Sequence, residues 1–191
     1  MQLMTPQTLT DALEARLSRQ PTVLLALDGR CGSGKTTLAS GLARHFGKCI
    51  LAHTDDFYLP PARRVPGWQS IPCANMDLER LQAEVLAPAR QGRGVCYRAY
   101  SCRQGEYLPP VLLEAAPLVI LEGSYSLHPS LAAYYDMEVF VTCSAEEQAR
   151  RLQAREGERY PDFVRRWIPL EEAYFARHRI PQQAQFTVVT G

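Results

Sequence analysis

Eight consecutive residues, Gly29-Arg30-Cys31-Gly32-Ser33-Gly34-Lys35-Thr36, fit the pattern G-x-x-x-x-G-K-[ST], and Thr37 extends it. Glycines at these intervals let a loop curl until successive backbone N–H groups point inward at an anion. A helix that starts where the loop ends adds the positive end of its dipole. Chemically this is a phosphate cradle. Gly29, Gly32, Ser33, Gly34 and Thr37 supply its main-chain wall, Lys35 reaches the β and γ phosphates of a nucleotide, and the Thr36 hydroxyl meets Mg²⁺. ATP and Mg²⁺ are the expected cofactors. At ordinary residue frequencies the four fixed positions arise by chance in about one sequence in a hundred of this length, so a mere glycine-rich turn with a surface lysine is the poorer reading.

Other polar residues collect in two irregular stretches. Residues 58–74 hold Pro60, Pro61, Pro66 and Pro72, which fix the backbone locally without building a sheet. Tyr58, Arg63, Arg64 and Trp68 stand among them. Residues 92–110 alternate aromatic and basic side chains at Tyr97, Arg98, Tyr100, Arg103 and Tyr107. Such aromatics suit stacking on a planar base, and such arginines suit a phosphate or carboxylate on a bound molecule. Both stretches are read as substrate-side loops, because binding residues concentrate on loops held by a rigid scaffold. The six cysteines (Cys31, Cys49, Cys73, Cys96, Cys102, Cys143) form no CxxC pair and no zinc-type grouping, so they read as reduced structural thiols. Cys31 lies by a helix N-terminus, where a thiol's pKa tends to fall, and is read as a tolerated loop residue.

To position this chemistry, strands must end at the cradle and at nearby acids. Residues 23–27 (VLLAL) form a continuous apolar run of strand length, as expected where both faces of a parallel strand are covered. Residues 35–46 place Leu38, Leu42 and Phe46 on one helical stripe. Further strands are expected at 49–53 (CILAH), 118–121 (LVIL), 137–142 (MEVFVT) and 186–189. Helices are expected at 1–20 (with Leu9, Leu13 and Leu17 in register), at 77–89 with Asp77 as its cap, at 145–155 and at 162–178. Strands alternating with helices predict a three-layer α/β fold, with a mainly parallel sheet of about five strands between helix layers and a helical lid at 145–160. One domain over residues 1–191 suits the length.

The kind of nucleotide site narrows next. A GTPase needs an N-K-x-D segment, and the only asparagine is Asn75, in Asn75-Met76-Asp77. A motor ATPase normally ends an apolar strand in an acidic pair, whereas LVIL ends in Glu122-Gly123. Three further pieces are Asp55-Asp56-Phe57-Tyr58 after the second strand, Leu121-Glu122-Gly123 after the third, and Arg150-Arg151-x-x-x-Arg155 after the fourth. In order and location they resemble the uridine kinase and phosphoribulokinase group of P-loop kinases, which also includes nicotinamide riboside and pantothenate kinases. The similarity runs from about residue 24 to residue 174.

The resemblance implies an ATP-dependent small-molecule kinase with Asp55 as the base for the acceptor hydroxyl, a role that suits phosphoryl transfer. Asp56 either caps the turn or holds a water on the metal. Glu122 is implied as a Mg²⁺ ligand, direct or through water, with a structural pairing to Lys35 or an arginine as the plain alternative. Arg151 and Arg155 are implied in a lid over the phosphates. Spacing alone also allows the i,i+4 pairs Glu146–Arg150 and Glu147–Arg151, which favours Arg155. On the substrate side Asp56, Tyr58, Tyr97, Arg98 and Arg103 are the candidates. Positions that hold a histidine and a ribose-binding aspartate in uridine kinases read Cys102 and Ala74 here, leaving Asn75 or Asp77 as substitutes. The expected acceptor is first a nucleoside, then a phosphorylated sugar or vitamin-like alcohol; a catalytically silent nucleotide-binding regulator is the rival.

Composition bounds the rest. With 21 basic and 20 acidic residues the net charge is +1, so no global field exists to hold nucleic acid or an anionic membrane. The first twenty residues contain acids and lack a signal peptide's apolar core, and no apolar run spans a bilayer, so a cytoplasmic protein is expected. The sequence leaves a homo-oligomer open and encodes no readable interface.

Overall fold

The computed structural model describes residues 2–191. Its strands are β1 (Gln2–Met4), β2 (Val23–Gly29), β3 (Cys49–His53), β4 (Val95–Tyr97), β5 (Tyr100–Ser101), β6 (Glu106–Tyr107), β7 (Val111–Leu113), β8 (Leu118–Glu122), β9 (Met137–Thr142) and β10 (Phe186–Val189). The helices are α1 (Pro6–Leu17), α2 (Lys35–Phe46), α3 (Leu78–Leu81), α4 (Ala87–Arg90), α5 (Ala145–Glu156), α6 (Tyr160–Asp162), α7 (Ile168–His178) and α8 (Ile180–Gln183). Six strands form one sheet in the order β1-β10-β9-β2-β8-β3, and every pairing in it is parallel.

The central strand shows why its sequence is apolar at every position. All of β2 is buried, and its alternate residues go to opposite faces. Val23, Leu25 and Leu27 pack with Leu9 and Leu13 of α1 and Ala39 and Leu42 of α2. On the other face Leu24 joins Leu81, Val85, Leu86 and Ala89, and Ala26 joins Tyr174 and Phe175 of α7. The sheet is therefore the middle of three layers, with the glycine loop leaving its central strand directly into α2.

Two features differ from the sequence reading. The sheet has six strands rather than about five, because β1 pairs with β10 ahead of α1 in the segment expected to be wholly helical. Met1, at the head of that segment, lies outside the described residues. Residues 92–110, expected to be irregular, hold three short strands: β5 pairs antiparallel with β6, and β4 pairs antiparallel with β7, which lies just beyond the stretch.

The long helical stretches are also interrupted. A π turn at Gln82–Leu86 joins α3 to α4, and another at Phe163–Trp167 joins α6 to α7. Each comes just before a proline, Pro88 or Pro169. Proline offers no N–H and crowds the carbonyl four residues back. Widening the turn, with Ala87 N–H donating to Gln82 O and Ile168 N–H to Phe163 O, relieves the crowding without ending the helix.

Candidate active site

Parallel pairing aligns the carboxyl ends of β2, β8 and β3, since Leu27 lies opposite Glu122 and Glu122 opposite His53. In α/β sheets this edge is where ligands bind. The glycine loop leaves β2 here, Glu122 ends β8, and Asp55 and Asp56 sit on the 3₁₀ turn Thr54–Phe57 that follows β3. Together they border a cleft of about 890 Å³, lined also by Gly32, Gly34, Thr37, Tyr58, Arg151 and Arg155.

The loop requires its glycines. Gly29, Gly32 and Gly34 have φ of 142°, 76° and 88°, a region that glycine alone enters freely. A Cβ on Gly29 would also stand 1.9 Å from the Val141 carbonyl oxygen, so β9 passes against the bare backbone. Lys35 is buried, and its Nζ donates to the carbonyls of Gly29 at 2.7 Å and Arg30 at 3.0 Å. The ammonium thus lies folded over the loop it must serve.

Thr36 Oγ1 donates to both Glu122 oxygens, at 3.2 and 3.3 Å. The buried Glu122 carboxylate also lies 2.6 Å from His53 Nδ1. This hydrogen bond raises the His53 pKa, against the opposing effect of burial. Glu122 is therefore tied to Thr36 and His53, while the bonds of Lys35 go to carbonyls; the structural pairing with Lys35 weighed from sequence is not what forms. A threonine hydroxyl beside a carboxylate is a hard oxygen set that fits Mg²⁺, and a loop whose three glycines all sit at positive φ fits a phosphate chain. Among the described residues no group of three or more His, Cys, Asp and Glu side chains gathers for a metal.

The two aspartates have different partners. Asp55 accepts from the Tyr58 hydroxyl at 2.7 Å, and Asp56 from the Tyr97 hydroxyl at 3.0 Å. Burial raises the pKa of Asp56, against the Tyr97 hydrogen bond. Tyr97 itself is buried on Phe57, with ring centroids 5.1 Å apart. It reaches the cleft through Asp56.

Arg98 and Arg103 are not brought to the cleft. Arg98 donates to the carbonyls of Leu108 and Tyr107, both at 2.7 Å, in the segment that joins the β4–β7 and β5–β6 ladders. Arg103 is exposed in the turn between β5 and β6. On α5, Arg151 donates to Glu147 at 2.6 Å and to Thr190 Oγ1 at 2.9 Å. Glu147 is shared with Arg150, so the partner of Arg150 is Glu147 and not Glu146. Arg155, with no acid four residues earlier, donates instead to its neighbour Glu156 at 2.7 Å and lies over Phe163. The Cys31 thiol has its pKa raised by burial, and further by Glu171, opposite to what its place near a helix start suggests.

Several cleft residues were not singled out from sequence. Glu171, on α7, accepts from the Cys31 backbone N–H at 2.9 Å and from Ser124 Oγ. Beside it Glu172 chelates Arg30 at 2.5 and 3.1 Å. Two consecutive acids of one helix thus brace the glycine loop. Behind the cleft, Asp28 accepts from Gly29 N–H, Leu127 N–H and the Tyr174 hydroxyl, and burial pushes its pKa up to about 6. His53 had one available signal, its place at the end of a strand next to Asp55. The role of Glu171 depends on where α7 docks, and no local pattern reveals that.

No family model matches the chain. Nicotinamide riboside kinase 1 of Mus musculus is 28% identical to it over 142 residues, 69% of this chain and 66% of that protein, so the chain spans just under two thirds of that relative's length. A Bacillus stearothermophilus structure described as a possible uridine kinase is similar with a TM-score of 0.69 at 17% identity, over 95% of this chain and 99% of that one. D-glycerate 3-kinase from Cryptococcus neoformans is similar with a TM-score of 0.61 at 18% identity, over 87% of each chain.

Proposed function

The chain has the fold of the P-loop kinases, and on that premise we propose that it transfers the γ-phosphoryl group of ATP to a hydroxyl of a small molecule, a nucleoside in the first instance. The supporting observation is the convergence of Lys35, Thr36, Glu122 and Asp55 on one cleft at the carboxyl edge of the sheet. Lys35, released from the Gly29 and Arg30 carbonyls, takes the β and γ phosphates. Thr36 and Glu122 hold Mg²⁺, which when bound offsets phosphate charge.

Asp55 receives the proton of the attacking hydroxyl as its oxygen bonds to the γ phosphorus, and the bond from that phosphorus to the bridging oxygen breaks to leave ADP. A loose transition state of this kind asks the protein for alignment and charge stabilisation. The Tyr58 hydroxyl orients Asp55. Arg151 and Arg155 on α5 bring positive charge to the transferring group when the lid closes. Residues 1–191 act as one catalytic domain in the cytoplasm.

Asp55→Asn tests this assignment. Because Asp55 acts on the acceptor, the variant keeps the ATP dissociation constant within a few-fold while kcat falls by roughly 10²- to 10⁴-fold. If Asp56→Asn cripples the enzyme and Asp55→Asn does not, the base is one residue further on.

A further inference from the structure

The geometry points to Arg166 as a positioning residue: packed on Trp68 and Trp167, it ties the loop at 58–74 to the helical stretch that braces the glycine loop, so that nucleotide binding is felt in the substrate-side loop. This deepens the phosphoryl-transfer reading above and rests on it. The Arg166 guanidinium carbon lies 4.8 Å from the Trp68 ring centroid and 4.5 Å from that of Trp167. A guanidinium is flat and weakly hydrated, so it stacks on indole faces in a way that an ammonium does not. Trp68 is also gripped from its own loop, since Arg64 lies 4.6 Å over the ring while donating to the Leu59 carbonyl at 2.7 Å. The cleft is lined by Tyr58 and Asn75, which flank this loop, and by Phe163 and Trp167 of the π turn. The stack therefore joins two of the cleft's borders.

Arg166 Nε and Nη2 are enclosed by the fold, yet neither has a hydrogen-bond partner. Unmet donors on a charged group are costly, so the stacking holds this contact against an opposing term and the joint is poised rather than locked. The same helical stretch, the π turn running into α7, grips the glycine loop a little further on. There Glu171 accepts from the Cys31 backbone N–H at 2.9 Å, and Glu172 chelates Arg30. Glu171 also lines the cleft. A polyphosphate seated in the glycine loop brings negative charge toward that carboxylate, and the repulsion acts on α7. Between the two grips lies the π turn, a local distortion of the kind that recurs at functional sites. Movement of α7 at Glu171 thus reaches Trp68 through Arg166. Such coupling is reciprocal, so a filled acceptor site changes nucleotide affinity by the same factor.

Trp68 and Trp167 are the only tryptophans of the chain, so intrinsic tryptophan emission reads this joint directly. Trp68 is not among the residues that line the cleft. In the Trp167→Phe full chain, where phenylalanine keeps an aromatic face for Arg166, Trp68 therefore reports on the loop without touching the nucleotide. The experiment titrates that variant with the Mg²⁺ complex of the β,γ-imido analogue of ATP, following Trp68 emission and, in parallel, the heat of binding. A saturable shift of the emission is expected, with the same dissociation constant as the heat. Adding Arg166→Ala is expected to abolish the shift while the calorimetric dissociation constant stays within a few-fold. Arg166→Lys keeps the charge and loses the flat stack; it should behave in the same way, and it decides the matter if circular dichroism shows the alanine variant unfolded. Loss of the shift with fold and binding intact is a result that packing alone does not produce. Calorimetric binding with no shift overturns the inference and leaves the kinase reading standing. A shift that survives the Arg166 substitutions overturns the role of Arg166. No nucleotide binding at all removes the kinase reading, and this inference with it.

Discussion

Lys35 rests with its ammonium against two carbonyls of its own loop, so on the proposed reading nucleotide binding would exchange those bonds for phosphate oxygens. Lys35→Ala and Thr36→Ala are each expected to abolish transfer with circular dichroism unchanged; near-normal turnover in either variant would remove this loop from the chemistry. His53 acts one step back, holding Glu122 at 2.6 Å. If Glu122 holds Mg²⁺ as proposed, a partner behind it should change metal affinity by about 10- to 100-fold. His53→Ala is expected to raise the Mg²⁺ concentration for half-maximal rate by about tenfold, with little change in maximal rate at saturating Mg²⁺; an unmoved Mg²⁺ dependence means that Glu122 needs no such support. Asp28 bears on stability instead. Its folded pKa is raised from 3.8 to about 6, so the folded chain binds this proton more tightly than the unfolded chain. The group's contribution is greatest below pH 4 and is lost as pH rises through about 6, a change of roughly 2 to 3 kcal/mol. Urea unfolding of the wild type and Asp28→Asn at pH 4.5 and 7 measures it: the stability difference between the two proteins should move by about that amount, and equal differences at both pH values contradict it.

Glycines separate by element. Gly29→Ala forces a Cβ against the Val141 carbonyl at a positive φ, and a stability loss of about 3 kcal/mol or more is expected. Gly41, inside α2 with nothing within 4 Å of an added Cβ, should gain about 0.5 to 1 kcal/mol as alanine. Denaturant midpoints of the two variants check the contrast, and a similar shift in both would show that the approach of β9 to the loop is not rigid. The same scale explains what the sequence revealed. The strands at 49–53, 137–142 and 186–189 and the helix at 35–46 were legible to the residue, because their apolar runs and stripe exceed one period. β1, with three residues, and the strands β4 to β7, with two or three each, are shorter than any pattern that could announce them. The π turns were illegible because a proline inside a helical stretch ordinarily signals an end or a kink.

Across the molecule, the cradle and the acids at strand ends could be read because each is local in sequence. The pairings His53–Glu122 and Glu171–Cys31 could not, since they join residues 69 and 140 positions apart and depend on strand register and on where α7 docks. The arginines were misjudged for a related reason. A loop arginine looks available until Asp77, or the carbonyls of Leu59, Tyr107 and Leu108, are seen to take its donors. The strands β2, β8 and β3 bring their carboxyl ends to one cleft, and the central claim is that ATP and a small hydroxyl-bearing molecule meet there. The most direct test is to incubate the full chain with ATP, Mg²⁺ and a panel of nucleosides, and to quantify ADP and the phosphorylated nucleoside by chromatography and mass spectrometry. The account predicts the two products in equal amounts with at least one nucleoside, and neither with Lys35→Ala. Binding of ATP with no nucleoside-dependent ADP and no phosphorylated product would contradict it.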